Sequence, residues 1–365
     1  MARILCVNPS GKGDLHELRA QRLTAYLNAD VTICSSPKSS SRRSAAKQFS
    51  DAIASTAWDL VYQESTGISA GLNLIRAALK KKQKYIVSSG DPISGFFRVT
   101  RGPAVAAPFA VYEKWLYALS AGFIGWTPYL TGRAIHLGAP RGATIEGSVD
   151  LDLFRPFPSS ERTAIRARYG IPASHLVCGV VGSLRWSQRQ RYCYGLELIE
   201  TLTHLRRTDI TMLIVGDGEG RAILERRIPD KLRSRVIFTG SIPAEKVPEA
   251  INAMDVGFIT QTLDSLGNYR LTTKLPEYLG SGLPVAMSPI PGYFDYVGPA
   301  GWPLPSKHPA SREFSELCAN WLDDLSIDEV DSRRALARTI AEERFSYSVT
   351  GPRFKRFVEH VLDSS

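Results

Sequence analysis

Short apolar runs rich in β-branched residues alternate with helix-like stretches from one end of the 365-residue chain to the other. This alternation is the tightest constraint on the fold, because strand, helix and second strand is the unit from which parallel sheets are built. In the first half the candidate strands are ILCVNP (4–9), DVTICS (30–35), LVYQES (60–65), KYIVSS (84–89), GFIGWT (122–127) and ATIEGS (143–148). In the second half they are LVCGVVGS (176–183), TMLIVGDG (211–218), RVIFTGSI (235–242), VGFITQT (256–262) and PVAMS (284–288). Several are almost continuously hydrophobic, as strands covered on both faces must be. A chain this long exceeds one ordinary core. The sequence therefore predicts an α/β protein with two Rossmann-like, doubly wound parallel-sheet domains facing a cleft. The turn-rich connector DLDLFRPFPSSERTAIRARYGIP leads into a helix and places the boundary near residue 168, giving domains 1–168 and 169–345. The last stretch, 346–365, reads as an amphipathic helix with Phe354, Phe357, Val358 and Val361 on one side, packing back on the N-terminal domain.

Composition excludes several classes of function. The net charge of +9 raises nucleic acid or an anionic membrane surface as partners. The basic clusters RAALKKKQK (76–84), RGATIE (141–146) beside Arg133, and RARYG (166–170) lie in different segments, and no RNP, helix-turn-helix or zinc-finger spacing accompanies them. No nucleic-acid partner is expected. The cysteines (Cys6, Cys34, Cys178, Cys193, Cys318) are odd in number and lack CxxC spacing, which predicts a reduced, cytoplasmic setting. The opening MARILCVNPSGKGD has no long apolar stretch, so no signal peptide is expected. No run reaches the ~20 apolar residues a spanning helix needs. The six histidines (His16, His136, His175, His204, His308, His360) show no metal-binding spacing, so neither metal nor cofactor is expected.

The most informative segment for chemistry runs from Leu271 through Thr272, Thr273, Lys274, Leu275, Pro276 and Glu277 to Val285. Pro276 fits only the first turn of a helix, which sets the start near Thr273 as N-cap. The N–H groups of Lys274 and Leu275 would then point out of the positive helix end. Together with the Lys274 ammonium they would suit a diphosphate. Glu277, one turn in, could accept hydrogen bonds from ribose hydroxyls; the alternative is a capped amphipathic helix with solvated charges. In the first half, Asn8-Pro-Ser-Gly-Lys-Gly13 follows the first strand, and Gly11 and Gly13 would let the backbone approach a ligand, although an ordinary turn between strand and helix fits equally. It is no P-loop, because GxxxxGK[ST] is absent. Asp91, in Ser88-Ser-Gly-Asp-Pro92, could orient an acceptor or take its proton, or simply cap a helix. His16 and His136 are alternative bases.

The segment TKLPEYLGSGLPV (273–285) resembles the donor-binding signature of family 4 glycosyltransferases, and other pieces follow in that family's order. VDLDLFRPF (149–157) resembles the segment before the interdomain linker, and VVGSLRW (180–186) the strand and Arg loop opening the C-terminal domain. LIVGDGEGR (213–221) resembles the strand and its GxG turn, and VIFTGSIPAEKVPEAINAMDVGFI (236–259) the base-binding loop with its flanking elements. The resemblance implies a GT-B, retaining glycosyltransferase taking a sugar from a nucleoside diphosphate donor, with a UDP-sugar favoured, to an acceptor hydroxyl. It implies that Glu277 meets the donor ribose, that Lys274 and the amides after Thr272 meet the diphosphate, with Leu271, Thr272 and Thr273 in the donor site, and that Thr239, Gly240, Ser241 and Ile242 meet the base. It also implies that Arg185 faces the phosphates. Without a metal, Arg185, Lys274 and the Thr273 helix would neutralise the leaving diphosphate, and Asp91 would complete the catalytic group.

The chain departs from the family pattern twice. Tyr194 stands where a lysine is usual, leaving Arg189 or Arg191 to replace it, and Tyr269 stands where a second glutamate is usual, eight residues before Glu277. Asp264, Asn268 or Arg270 could instead reach the sugar. The acceptor is a small molecule or a lipid-linked sugar. Phe96-Phe-Arg-Val and the stretch Ala104–Tyr117 fit either a lipid-facing patch, which would make the protein peripheral at a membrane, or an ordinary buried helix. A non-catalytic nucleotide-sugar-binding regulator of the same fold and a GT-B epimerase are the rival readings.

Overall fold

A computed structural model describes residues 1–37 and 41–364. The chain forms two compact units. The first comprises Met1–Ser148, Tyr269–Leu271 and Tyr347–Ser365, and the second comprises Val149–Asn268 and Thr272–Ser346.

In the first unit, strands β1 (Ala2–Asn8), β2 (Ala29–Ser35) and β3 (Leu60–Glu64) alternate with helices α1 (Leu15–Thr24) and α2 (Arg42–Ala54). Helix α3 (Ile68–Lys81), β4 (Tyr85–Ser89), α4 (Ile93–Arg101) and α5 (Pro103–Ala118) follow. Then come β5 (Gly122–Gly125), α6 (Pro128–His136) and β6 (Gly142–Thr144). Side chains of Asp14, Ser41 and Thr127 cap the helices α1, α2 and α6 by accepting first-turn amides. The sheet order is β2-β1-β3-β4-β5-β6, all parallel, and the order reverses between β1 and β3. Alternate residues of β1 serve opposite faces. Ile4 and Cys6 face α1, while Leu5 and Val7 face the layer of α2, α3, α5 and α6. The terminal helix α15 (Tyr347–Asp363) lies beside α1 and adds Phe354, Phe357, Val358 and Val361 to that first face.

The second unit begins with α7 (Ser159–Arg168), β7 (Leu176–Val181), α8 (Leu196–His204), β8 (Ile210–Val215), α9 (Arg221–Arg227) and β9 (Val236–Gly240). It continues with α10 (Val247–Asn252), β10 (Val256–Ile259), α11 (Lys274–Gly280), β11 (Val285–Met287) and α12 (Pro291–Tyr296). Strand β12 (Gly301–Pro303), α13 (Arg312–Asp324) and α14 (Ile327–Arg344) complete it. Its parallel sheet runs β12-β11-β10-β7-β8-β9 and reverses between β7 and β10. On one face Cys178, Val180, Met212, Ile214 and Phe258 pack with α8 and α13. On the other, α11 lies so close that a Cβ on Gly257 would sit 2.5 Å from the Tyr278 ring.

Helix α7, which the sequence reading assigned to the N-terminal side, belongs to the second unit because its arginines are fixed there. Arg162 and Arg166 reach Asp255, as does Arg334 from α14, at 3.1, 2.6 and 2.7 Å. The eleven strands read from the sequence all form, and the two Rossmann-like domains follow from them. Strand β12 was missed: it is three residues long, sits at a sheet edge and ends in proline, which is tolerated only at an edge. All five cysteines are free. No helix among the described residues is long and apolar enough to cross a membrane.

Candidate functional site

Open α/β sheets bind ligands beyond the carboxyl ends of the strands where the strand order reverses. In the second unit that position lies past Val181 of β7 and Ile259 of β10, and the side chain of Lys274 occupies it. A Cβ on Gly182, whose φ is +152°, would sit 2.9 Å from the Lys274 Cε and 3.1 Å from its Nζ. The ammonium lies 3.5 Å from the centre of the Tyr194 ring, a cation–π contact. The Tyr194 hydroxyl accepts a hydrogen bond from Gln261 Nε2 at 3.0 Å, which fixes the ring. Lys274 is only 9% exposed, yet makes no ion pair with any described carboxylate. Tyr194, at the position where the sequence comparison expected a lysine, thus supplies a ring face for the lysine that is present.

Glu277 follows one turn along α11. Burial pushes its carboxyl up to about 7, with nearby Lys274 pulling the other way. The carboxyl has no hydrogen-bond partner among the described residues. Helix α11 is pinned to the end of β7 by the Val181 amide, which donates to the Tyr278 hydroxyl at 2.8 Å. The expected capping arrangement needs correction. Thr273 occupies the N-cap position in a helical backbone conformation and makes no side-chain capping bond. The Leu275 amide is not free either, since it donates to the Thr272 carbonyl at 3.2 Å. The Thr272 hydroxyl, by contrast, is buried without a partner among the described residues.

Glycine turns gather the remaining candidates at the same end of this sheet. A Cβ on Gly216 would lie 1.9 Å from the Gly182 carbonyl oxygen, and one on Gly218 2.8 Å from that of Leu184. The Gly216 amide donates to the Gly240 carbonyl at 3.0 Å. The loops after β7, β8 and β9 are therefore locked backbone to backbone, which places Arg185 and Thr239–Ile242 around one group. Arg185 and Arg189 are exposed, as is Ser241, whereas Thr239 and Ile242 are partly buried and Gly240 is buried.

The loop after β10 is arranged differently from the expectation. Asp264 caps its own turn, accepting from the Leu266 and Gly267 amides at 2.8 and 3.0 Å and from the Thr262 hydroxyl. Tyr269, Arg270 and Leu271 belong to the first unit and are not grouped with Lys274. The Tyr269 carbonyl accepts from Thr127 Oγ1 at 2.7 Å, and Arg133 lies 5.4 Å from its ring. Arg270 grips Asp91 with two prongs, Nε to Oδ1 at 2.9 Å and Nη2 to Oδ2 at 3.1 Å. Asp91 is thus a paired carboxylate. It is not a cap, because Pro92 holds the N-cap position of α4.

In the first unit the Asn8–Gly13 loop closes on itself. The Lys12 amide donates to Ser36 and the Ser10 amide to Asn8, while Gly13 N–H is taken by the Glu17 carboxylate. Gly11 and Gly13 adopt positive φ, but Glu17 stands where an anion would have to bind. A different group lies at this sheet's reversal between β1 and β3. Glu64, fully buried at the end of β3, accepts from Arg19 at 2.8 Å, from the Tyr62 hydroxyl, and lies 3.3 Å from His16 Nδ1. Arg19 is itself buried and donates to the Ile145 and Glu146 carbonyls. His16 keeps about a third of its side chain exposed. Burial opposes its charged form, but the Glu64 carboxylate outweighs that and leaves its pKa raised. Sequence reasoning missed Glu64. The available signal was an acid closing the apolar run LVYQE, at a strand end beside the sheet's reversal.

Two parallel six-stranded sheets of this build, one after the other in the chain, form the fold of GT-B glycosyltransferases. Residues 175–324, which apart from Tyr269–Leu271 belong to the second unit, match the family model described as Glycosyl transferases group 1. The chain is 29% identical over 210 residues to 2-deoxystreptamine glucosyltransferase of Streptomyces kanamyceticus. That stretch is 56% of this chain and spans about half, 51%, of the relative. Among solved structures, Anabaena HepE in complex with UDP and glucose aligns over all of both chains with a TM-score of 0.74 at 18% identity. Sucrose-phosphate synthase of Thermosynechococcus elongatus does the same with a TM-score of 0.77 at 14% identity.

Proposed function

We propose that the protein is a glycosyltransferase that moves a hexose, from UDP-glucose in the first instance, to an acceptor hydroxyl without a metal ion. One observation carries this reading: a buried lysine without a carboxylate partner stands beside a glutamate whose carboxyl has no hydrogen-bond donor. Together they complement a nucleoside diphosphate, Lys274 meeting the phosphates and Glu277 the ribose. The exposed Arg185 adds positive charge where the leaving diphosphate develops its own. The choice of UDP and glucose is supported by the ligands of the HepE structure and by the glucosyltransferase relative. The acceptor is a small molecule or a lipid-linked sugar, and transfer proceeds with retention, the leaving phosphate assisting attack on the same face.

The raised carboxyl of Glu277 gives a signed pH test. Its folded-state value of about 7 lies above the ordinary 4.5, so the folded protein holds this proton more tightly. Without ligand, the group's contribution to stability is lost as pH rises from the unfolded value through the folded one. Ribose hydroxyls donate to the ionised form, so UDP-glucose affinity should rise by up to about tenfold between pH ~6 and ~8. Metal-free calorimetry of the wild type and Glu277→Gln checks this. A flat wild-type profile, or the same slope in the variant, removes Glu277 from the site.

A second reading of the stereochemistry rests on the first unit. His16, held by Glu64, is a suitably raised base for an acceptor hydroxyl, and a base is what transfer with inversion requires. If His16 acts so, His16→Gln should lower kcat roughly 100-fold or more with little change in donor affinity, and proton NMR should show an inverted anomeric centre. Near-wild-type turnover with a retained centre would leave the His16 cluster a structural one and uphold retention.

A further inference from the structure

Half of the large hydrophobic side chains left exposed among the described residues lie on α3, α4, α5 and α6 of the first unit. Helix α5 is the extreme case. Its exposed positions are Pro103, Ala104, Val105, Ala107, Pro108, Ala110, Val111, Lys114, Trp115 and Ala118, so Lys114 is the only polar residue among them. A helix on the surface of a globular domain normally turns charged and polar residues outward. Phe96 of α4 and Leu72 and Leu79 of α3 extend the apolar surface. Helices α3 and α5 cover the same face of the sheet, and α4 is joined to α5 by Phe97 stacked on Phe109 at 3.5 Å between ring centres.

The charge on these three helices is one-sided. Their only acid is Glu113, which is fully buried. It accepts the Ile93 and Ser94 amides at 3.1 and 3.3 Å and the Arg133 guanidinium at 2.7 Å, so it locks α4 to α5 and offers nothing to solvent. Arg76, Lys80 and Lys81 on α3, Lys82 at its end, Arg98 and Arg101 on α4, and Lys114 on α5 are all exposed. None of the seven forms an ion pair among the described residues.

We propose that the outer faces of α3, α4 and α5 dock on an anionic lipid bilayer. Small aliphatic side chains and a tryptophan enter the boundary between headgroups and acyl chains, while the surrounding lysines and arginines lie over lipid phosphates. A second copy of the chain fits poorly, because the same face would set cations against cations. Nucleic acid fits poorly too, since the centre of the face presents alanine and valine where base edges and phosphates require donors. The inference is independent of the sugar-transfer reading.

Vesicle sedimentation of the full chain tests it, using phosphatidylcholine with and without phosphatidylglycerol. The wild type should pellet with anionic vesicles, far less with neutral ones, and be released by high salt. The triple variant Arg98→Glu, Arg101→Glu, Lys114→Glu should lower the partition coefficient at least about tenfold, because each cation near the surface contributes several-fold. Val111→Ser with Trp115→Ser should lower it at least about fivefold by removing apolar insertion. All of these side chains are exposed, and unchanged circular dichroism and melting temperature in the variants would show that the fold is intact. The proposal falls if the wild type stays in the supernatant, if neutral and anionic vesicles bind alike, or if both variants pellet like the wild type. It also falls if light scattering shows a wild-type dimer that the triple variant breaks.

Discussion

Lys274→Ala should weaken UDP-glucose binding by more than about a hundredfold, with kcat/KM falling at least as far. Removing one partner from a buried, hydrogen-bonded charge pair typically costs 2–5 kcal/mol, because the other charge is left in a poorly solvated place. Here the partner left behind is the donor diphosphate, and about 3 kcal/mol corresponds to the hundredfold loss. The space is fitted to a lysine tip, since Gly182 and the Tyr194 ring close around the ammonium. Lys274→Arg should rescue little, because a planar guanidinium is wider than the space a lysine tip fills against that ring. Calorimetry and steady-state kinetics read both quantities. Donor affinity within threefold of wild type in Lys274→Ala would remove the lysine from the site, and the proposed activity would lose its main support.

The largest expected effect on stability lies away from ligand chemistry, at Asp255. This carboxylate is 1% exposed, accepts the Val177 amide at 2.9 Å, and holds Arg162, Arg166 and Arg334 from two helices. Asp255→Ala would leave Arg162 and Arg166 without their counter-charge, Arg334 with Asp331 alone, and a buried strand amide unpaired. Burial and then the nearby Arg334 push the pKa of Arg162 down, while Asp255 pulls it up. A loss of roughly 3–5 kcal/mol is expected, lowering the Tm of the second unit by about 10 °C. Asp255→Asn keeps an acceptor for Val177 and should cost clearly less. Calorimetric melting of the two variants checks the order. Equal melting of Asp255→Ala and wild type would mean that α7 and α14 are held by their apolar contacts alone.

The fold was readable in the sequence because parallel strands covered on both faces leave a dense apolar record. Runs such as LVYQE and YIVSS are buried at every position. Strand β12 left no such record, being three residues at an edge. The region around Lys274 and Glu277 was also readable, since Pro276 sets the helix start and the charged residues follow at fixed spacing. Side-chain partnerships across the fold left no trace in local pattern. Nothing in the spacing of Asp91 and Arg270 says that they pair, and nothing near Gly13 says that Glu17 will take its amide. Nor does the sequence reveal that Tyr194 would support Lys274 from eighty positions away in the chain. Glu64 was overlooked for the same reason: its meaning depends on Arg19 and His16 arriving from another helix.

The placement of α15 has a consequence for biosynthesis. Phe354, Phe357, Val358 and Val361 pack with Ile4, Cys6, Tyr62 and Ile86, so one side of the first sheet has only α1 over it until residues 347–363 have left the ribosome. Every strand of the second unit is translated before that helix. The unit begun first is therefore the one completed last, and through most of translation its half-covered face is a target for chaperones, while the second unit can already close around its own core.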